Sequence, residues 1–374
     1  MAVNSGLEGV VAASTSLSHV DGERGELVIA GFPVGELAAH ATFEETTWLL
    51  WHGDLPSARE LDIFRAELAA ERALPAATLA LLRECARGEV DPMDALRIAA
   101  GTISMTSDDA RAIVARCPTI VGAFWRLRQR MDPIAPRADL GHAANYLYML
   151  SGEVPDPERV RGIETYLNTV VDHGLNASTF TARVITSTGS DLVSAVVGAI
   201  GALKGPLHGG APGPALDMVF EIGDASRAEE ILREKIERGE KLMGFGHRVY
   251  KVRDPRADVL ASAAERMFTR AGDMSLYTLA RAVEATALRL LEEYKPGRRL
   301  QTNVEFYTAL LLHGLGLDVP LFTPTFAIGR VSGWIAHAME QRRTNRIIRP
   351  QSEYVGPRNR TWVPLAIRPA WQEN

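Results

Sequence analysis

The stretch SDLVSAVVGAIGALKG, residues 190–205, opens on two capping residues and continues through valine, alanine, isoleucine and leucine, with glycine at 198 and 201. Ser190 or Asp191 offers an oxygen to the first free N–H groups of a helix, and the small residues after it suit a helix packed closely against others. The same reading extends outward. Thr42, with Glu45 three residues on, forms a capping box, and Phe43, Thr47, Leu50 and Trp51 recur at helical spacing until Gly53 stops the pattern. Strand signals are few: GELVIAGFPV (25–34) alternates weakly between glycines and suits a small hairpin or extended arm. There is no internal repeat and no low-complexity linker separating two independent domains.

With 374 residues, 46% of them apolar, the chain can bury one large core or two smaller ones. Its formal charge is −5 and its 41 basic residues are scattered, which argues against a nucleic-acid-binding face. The first basic residue other than histidine is Arg24, so the N-terminus lacks the charged region of a secretory signal. The apolar run Ala195 to Leu203 is too short to span a bilayer. Cys85 and Cys117 are the only cysteines, and neither belongs to a CxxC or metal-type motif. These features lead to the expectation of a soluble cytoplasmic protein.

Against the helical background, two stretches place histidine beside glycine and proline, and a third sets a lone acid among apolar residues. In LKGPLHGGAPGPALDM (203–218), His208 occupies a Gly/Pro loop leading into a helix that begins near Pro214. Glycines admit a ligand close to the backbone, and a helix N-terminus biases an imidazole toward its neutral, hydrogen-bond-donating form. A turn histidine bonded to a nearby carbonyl reads equally well. In MGFGHRVYKVRDPR (243–256), His247 lies among Gly244, Gly246 and Arg248, with Arg256 after Asp254-Pro255. Such a loop could offer an imidazole and a bidentate guanidinium to one anion, or be a basic surface loop. In QTNVEFYTAL (301–310), Glu305 stands alone among apolar residues. It is either a solvent-facing acid or, in a pocket, a general base whose proton affinity burial raises. DHGLNASTFTAR (172–183) adds His173. GRVSGWIAHAMEQRRTNRIIRPQSEY (329–354) adds Arg330 and Arg349, the latter before a proline that marks a turn.

Taken together, GPLHGGA, GFGHRVYK..DPR, N-[DE]-FY and GR.SGW.AH, in this order and at these separations, resemble the citrate synthase family. The likeness runs from GLEGVVAASTSLSHVDGERGELVIAG near the start to IIRPQSEYVG near the end. The resemblance implies an all-α fold with a minor N-terminal β hairpin. It also implies a large domain (1–210 and 317–374) carrying the dimer contacts and the oxaloacetate site, and an inserted small domain (211–316) that closes over acyl-CoA. The active unit implied is a homodimer, without the extra N-terminal domain of the hexameric, NADH-regulated members.

The implied reaction condenses acetyl-CoA with oxaloacetate and hydrolyses the thioester, giving citrate and CoA, as in the tricarboxylic acid cycle. Glu305 matches the base that removes the methyl proton, and neutral His208 the donor to the thioester oxygen. His247 matches the histidine that polarises and protonates the keto oxygen. His173 would hydrogen-bond oxaloacetate, and Arg256, Arg330 and Arg349 match the carboxylate binders, Arg349 reaching the other subunit's site. Lys251 is assigned to CoA phosphates on charge alone. No metal and no permanently bound cofactor is implied; the CoA thioester is a substrate.

The sequence departs from the family in two places. Most members have aspartate where this chain has Glu305, and a shift of about 1 Å in a reacting group can cost about a hundredfold in rate. Asn303, Phe306 and Tyr307 around it are intact. Many members carry histidine at the position of Val170, which is not among the matched catalytic residues. Two alternatives stand beside citrate synthase. One is 2-methylcitrate synthase using propionyl-CoA, since one more methyl group is worth only about 1–3 kcal/mol of discrimination. The other is a weakly active paralogue that binds CoA or a dicarboxylate as a sensor.

Overall fold

Helix start signals in the sequence are realised as hydrogen bonds. Glu45 N–H donates to Thr42 Oγ1 at 3.3 Å and Thr42 N–H to the Glu45 carboxylate at 2.7 Å, closing the capping box, while Gly53 ends that helix at φ 96°. The computed structural model describes residues 5–7, 9–106, 109–209, 212–247 and 249–368. The expected domain boundary at 210/211 and Arg248 lie outside these.

Among the described residues there are sixteen α-helices. They are α1 (Val34–His40), α2 (Phe43–His52), α3 (Ala58–Ala70), α4 (Ala76–Arg87), α5 (Pro92–Ala100), α6 (Ala110–Arg128), α7 (His142–Ser151) and α8 (Pro157–Val170). Then come α9 (Ala177–Ser187), α10 (Leu192–Leu203), α11 (Pro212–Ile222), α12 (Ala228–Glu237), α13 (Pro255–Ala271), α14 (Ser275–Tyr294), α15 (Val304–Gly314) and α16 (Phe322–Arg343). The fold class is all-α. The small sheet is larger than the hairpin expected from 25–34. β1 (Ser18–Asp21), β2 (Glu26–Ile29) and β3 (Phe32–Pro33) pair antiparallel in that order, with Ser18 opposite Ile29 and Val28 opposite Pro33. The β1 residues SHVD carry too little apolar alternation to announce a strand.

α10 is capped by Asp191 and packs on α9. A Cβ on Gly198 would come within 2.2 Å of Ile185 Cδ1, so a larger residue there would have to displace the tip of that side chain. α16 runs through the middle of the molecule against α2, α6, α8, α9 and α10, and is buried almost continuously from Phe322 to Ala338. Its approach to the C-terminal end of α8 depends on a glycine, because a Cβ on Gly333 would lie 2.2 Å from the Val171 carbonyl oxygen. Buried carboxyl groups meet other helix ends: Glu164 of α8 accepts the Phe43 N–H that starts α2, and Glu44 of α2 accepts the His142 N–H that starts α7.

α11 begins at Pro212, two residues before the expected start near Pro214; proline suits a first helical turn because its missing N–H has no partner there anyway. α12 packs on α14, and α15 lies against α11 and α13. No single helix among the described residues is long and apolar enough to cross a membrane. α15 and α16 together reach that composition but meet at 120°.

Candidate active site

Two segments at helix ends and a pair of buried arginines place the side chains. The first is the connection from α8 to α9. Asp172, fully buried, accepts hydrogen bonds from Ser18 Oγ and, at 3.1 and 3.2 Å, from His337 Nε2. His173 follows it, with Nε2 3.1 Å from the Tyr250 hydroxyl. Asn176 caps α9 by accepting from Thr179 N–H at 3.1 Å. His208 comes up to this helix start from the α10–α11 loop. Its Nε2 lies 2.8 Å from Ser178 Oγ and accepts the Ser178 backbone N–H at 3.3 Å, an assignment that leaves the ring proton on Nδ1. Its partner is therefore Ser178 rather than a nearby carbonyl. Burial, reinforced by the Arg330 charge, pushes His208 down to about 4, so the ring is neutral at physiological pH.

The second segment is the His247 loop, joined to the start of α15. Gly246 N–H donates to the Gln301 carbonyl at 2.7 Å, Asn303 N–H to the Gly244 carbonyl at 3.0 Å, and Asn303 Nδ2 to the Gly246 carbonyl at 2.9 Å. Gly244 and Gly246 sit at φ 88° and 82°, which an L side chain resists, and this lets the loop fold onto α15. His247 Nδ1 accepts from the N–H groups of both Val249 and Tyr250 at 3.0 Å, so the neutral ring carries its proton on Nε2. Burial and the neighbouring Arg256 hold it down to about 4. Asn303 caps α15, taking the Glu305 N–H at 3.0 Å. The Glu305 carboxylate itself has no hydrogen-bond partner among the described residues. Burial raises it to about 7, against the opposing pull of Arg256.

The third group is a pair of buried arginines. Arg256, at the start of α13, makes a two-pronged contact with Asp254, Nε to Oδ1 at 3.0 Å and Nη2 to Oδ2 at 2.8 Å, and its Nη2 is 3.5 Å from His247 Nε2. Arg330, on α16 and 1% exposed, bonds the Val170 carbonyl through Nε and stacks over Phe326 at 4.7 Å. It forms no ion pair among the described residues, and burial lowers it to about 10. A buried guanidinium without a carboxylate is costly unless an anion arrives to meet it.

His173, His247, Arg256, Arg330, His208 and Glu305 thus share one electrostatic neighbourhood. The two arginines act on both His173 and each other; Arg330 acts on His208, and Arg256 on Glu305. Lys251 is exposed on the His247 loop, its N–H donating to the Gly22 carbonyl at 2.9 Å. Arg349 is exposed on the segment after α16 and forms no hydrogen bond or ion pair with these residues. Sequence reasoning passed over Ser178, Tyr250 and Asp254. It also passed over Tyr166, a buried hydroxyl without a hydrogen-bond partner in the field of Arg330, Glu305 and Arg256. Ser178, Tyr250 and Asp254 stand inside the motifs quoted above, but nothing local to them announces that they bond His208, His173 and Arg256. A separate cavity of about 550 Å³, lined by Arg83, Arg87, Arg128 and Arg130 among others, contains none of these groups.

A carboxylate poised near neutrality with no hydrogen-bond partner among the described residues, neutral imidazoles, and fixed cations for an anion define a condensing enzyme of the transferase type. The family model described as citrate synthase, C-terminal domain, matches residues 6–351. "Citrate synthase 2" of Bacillus subtilis is 40% identical, over 98% of this chain and 100% of that one. "2-methylcitrate synthase" of Mycobacterium tuberculosis is 41% identical over 96% and 92%. The citrate synthase of Thermoplasma acidophilum, solved as a ternary complex with carboxymethyl coenzyme A and oxaloacetate, superposes with a TM-score of 0.90 at 30% identity, covering 98% of this chain and all of that one. The chain belongs to the citrate synthase family.

Proposed function

We propose that this chain condenses acetyl-CoA with oxaloacetate and hydrolyses the product thioester to citrate and CoA. The observation that carries the reading is the Glu305 carboxylate, half-buried, without a hydrogen-bond partner among the described residues and raised to about 7 beside Arg256. Glu305 takes a proton from the thioester methyl carbon while His208 Nδ1–H hydrogen-bonds the developing enolate oxygen. The enol carbon attacks the keto carbon of oxaloacetate, whose oxygen receives the His247 Nε2 proton. Water then cleaves the C–S bond, releasing CoA as the thiol. Arg256, Arg330 and His173 hold the oxaloacetate carboxylates, and Lys251 meets the phosphates of CoA. Residues 211–316 close over the cleft, keeping water out while the enolate exists.

The homodimer belongs to the same reading. The segment beyond α16 leaves Trp362 80%, Leu365 77% and Ile367 71% exposed, apolar surface that supports a covering second copy, and in this reading Arg349 acts in that copy's site. A cytoplasmic role in the tricarboxylic acid cycle fits this chemistry.

Thiol release with oxaloacetate, comparing acetyl-CoA and propionyl-CoA for the parent and for Glu305→Gln, tests the proposal. Preference for acetyl-CoA, with a loss of about three orders of magnitude or more in the variant, is the expected result. Preference for propionyl-CoA moves the reading to 2-methylcitrate synthase, the name borne by a relative as similar as the citrate synthases. A parent no faster than the variant with either thioester leaves a binding protein.

A further inference from the structure

The motif GRVSGWIAH contributed only Arg330 to the chemistry, yet its remaining residues are as deeply buried. Arg330, Trp334 and His337 stand at i, i+4 and i+7 on α16, one stripe of a helix, and are 1%, 0% and 0% exposed. All three side chains reach the backbone or side chains of 170–178, the short connection that carries His173 and the Ser178 contact to His208. Trp334 Nε1 donates to Ser178 Oγ at 3.1 Å, on the hydroxyl that lies 2.8 Å from His208 Nε2. His337 Nε2 donates to the Asp172 carboxylate at 3.1 Å, immediately before His173.

The imidazole of His337 is held from behind. Arg183 Nε donates to His337 Nδ1 at 3.0 Å, which leaves the ring proton on Nε2, facing Asp172. Arg183 is in turn tied to Glu340 and, at 3.2 Å, to Gln341 Oε1. Glu340 accepts the Ser16 N–H at 2.8 Å, and Ser18 bonds Asp172 and receives the Gly174 N–H at 2.9 Å. The relay Glu340–Arg183–His337–Asp172 therefore joins α16, α9 and the N-terminal segment around one end of the connection, while Trp334 holds its other end. Gly333 lets α16 approach closely enough for both contacts.

Resting on the reading of the site given above, we propose that Trp334 and His337 are positioning residues acting on different halves of the reaction. Trp334 acts through Ser178 on the imidazole that faces the thioester oxygen, and His337 acts through Asp172 on His173, which faces oxaloacetate. A purely structural role would lower stability and disturb both substrates alike. Positioning predicts a split.

Trp334→Phe keeps the ring bulk and removes one N–H. Expected is a fall in kcat of about 10- to 100-fold, with KM for oxaloacetate within about twofold of the parent and Tm within a few degrees. Ser178→Ala should fall similarly, and the double variant should be no worse than the poorer single, because both act through one hydroxyl. His337→Gln should raise KM for oxaloacetate about tenfold or more while KM for acetyl-CoA stays within about twofold. If His337→Gln does not fold, Arg183→Lys, which leaves Asp172 and the imidazole in place, should give the same split.

The proposal for Trp334 is overturned if kcat of Trp334→Phe stays within twofold of the parent, or if its loss adds to that of Ser178→Ala. The proposal for His337 is overturned if both KM values rise together. A parent that releases no thiol from either thioester overturns the functional reading itself, and the positioning roles with it. That outcome is separate from an active parent with unaffected variants.

Discussion

At the scale of residues, the chemistry depends on Glu305. Its carboxyl is raised to about 7, so the base is protonated and idle below that pH and free above it. The expected profile is a kcat/KM for acetyl-CoA that falls about tenfold per unit below pH 7 and levels off above it. His208 and His247, both held down to about 4, add no limb above pH 5. The start of α15 is pinned to the His247 loop by the bonds at Gly244, Gly246 and Asn303, so the backbone resists shifting to follow a shorter side chain. Glu305→Asp, although it restores the family's usual residue, is therefore expected to lose about a hundredfold in kcat, measured by thiol release. An unchanged or faster variant would mean that the site is not built around glutamate. Arg330 supplies a ligand-linked counterpart. Oxaloacetate should raise the Tm of the parent, by mass action on a site where it meets an otherwise unmatched buried cation, and should raise that of Arg330→Met far less.

At the scale of elements, the buried carboxyl of Glu164 holds the start of α2 from α8. Burial, with the adjacent Glu44 adding repulsion, pushes it up to about 8. A folded-state value above the unfolded one means a stability contribution that is complete below the ordinary carboxylate range. It is lost as pH rises toward 8. Urea unfolding of the parent should show stability declining between about pH 5 and 8, and Glu164→Gln should flatten that decline. α16 offers a steric test. Gly333→Ala forces a Cβ against the Val171 carbonyl, so it should cost about 1–3 kcal/mol in the same assay and raise KM for oxaloacetate by displacing Asp172 and His173. A stable variant with an unaltered KM would show that the two helices can part without consequence.

At the scale of the whole molecule, the question is which copy supplies Arg349. Glu305→Gln and Arg349→Ala should each be nearly inactive alone. If Arg349 works across the dimer, a mixed dimer has one site with both native residues and one with neither, so subunits refolded together should regain about a quarter of parental activity. If Arg349 works within its own chain, every site keeps one defect and mixing restores nothing. Sedimentation or light scattering on the same samples establishes whether the unit is a dimer.

The helical class, and α2 and α10 in particular, were legible because their signals are local: a capping box at Thr42 and Glu45, Gly53 closing α2, and small residues along α10. The site residues could be picked out because histidine and arginine beside glycine and proline are costly in a plain helix, and because their order along the chain matches a family. Tertiary structure alone decided which groups meet. β1 carried too weak an alternation to be seen, and nothing local to Ser178 or Tyr250 announces that each bonds a histidine 30 or 77 residues away. The partners of Asp172 are Ser18 and His337, 154 and 165 residues distant in sequence. Residue types and periodicity determine the elements and the chemistry available. Tautomers, unmatched charges and raised proton affinities depend on burial and on neighbours, and those exist only once the helices have packed.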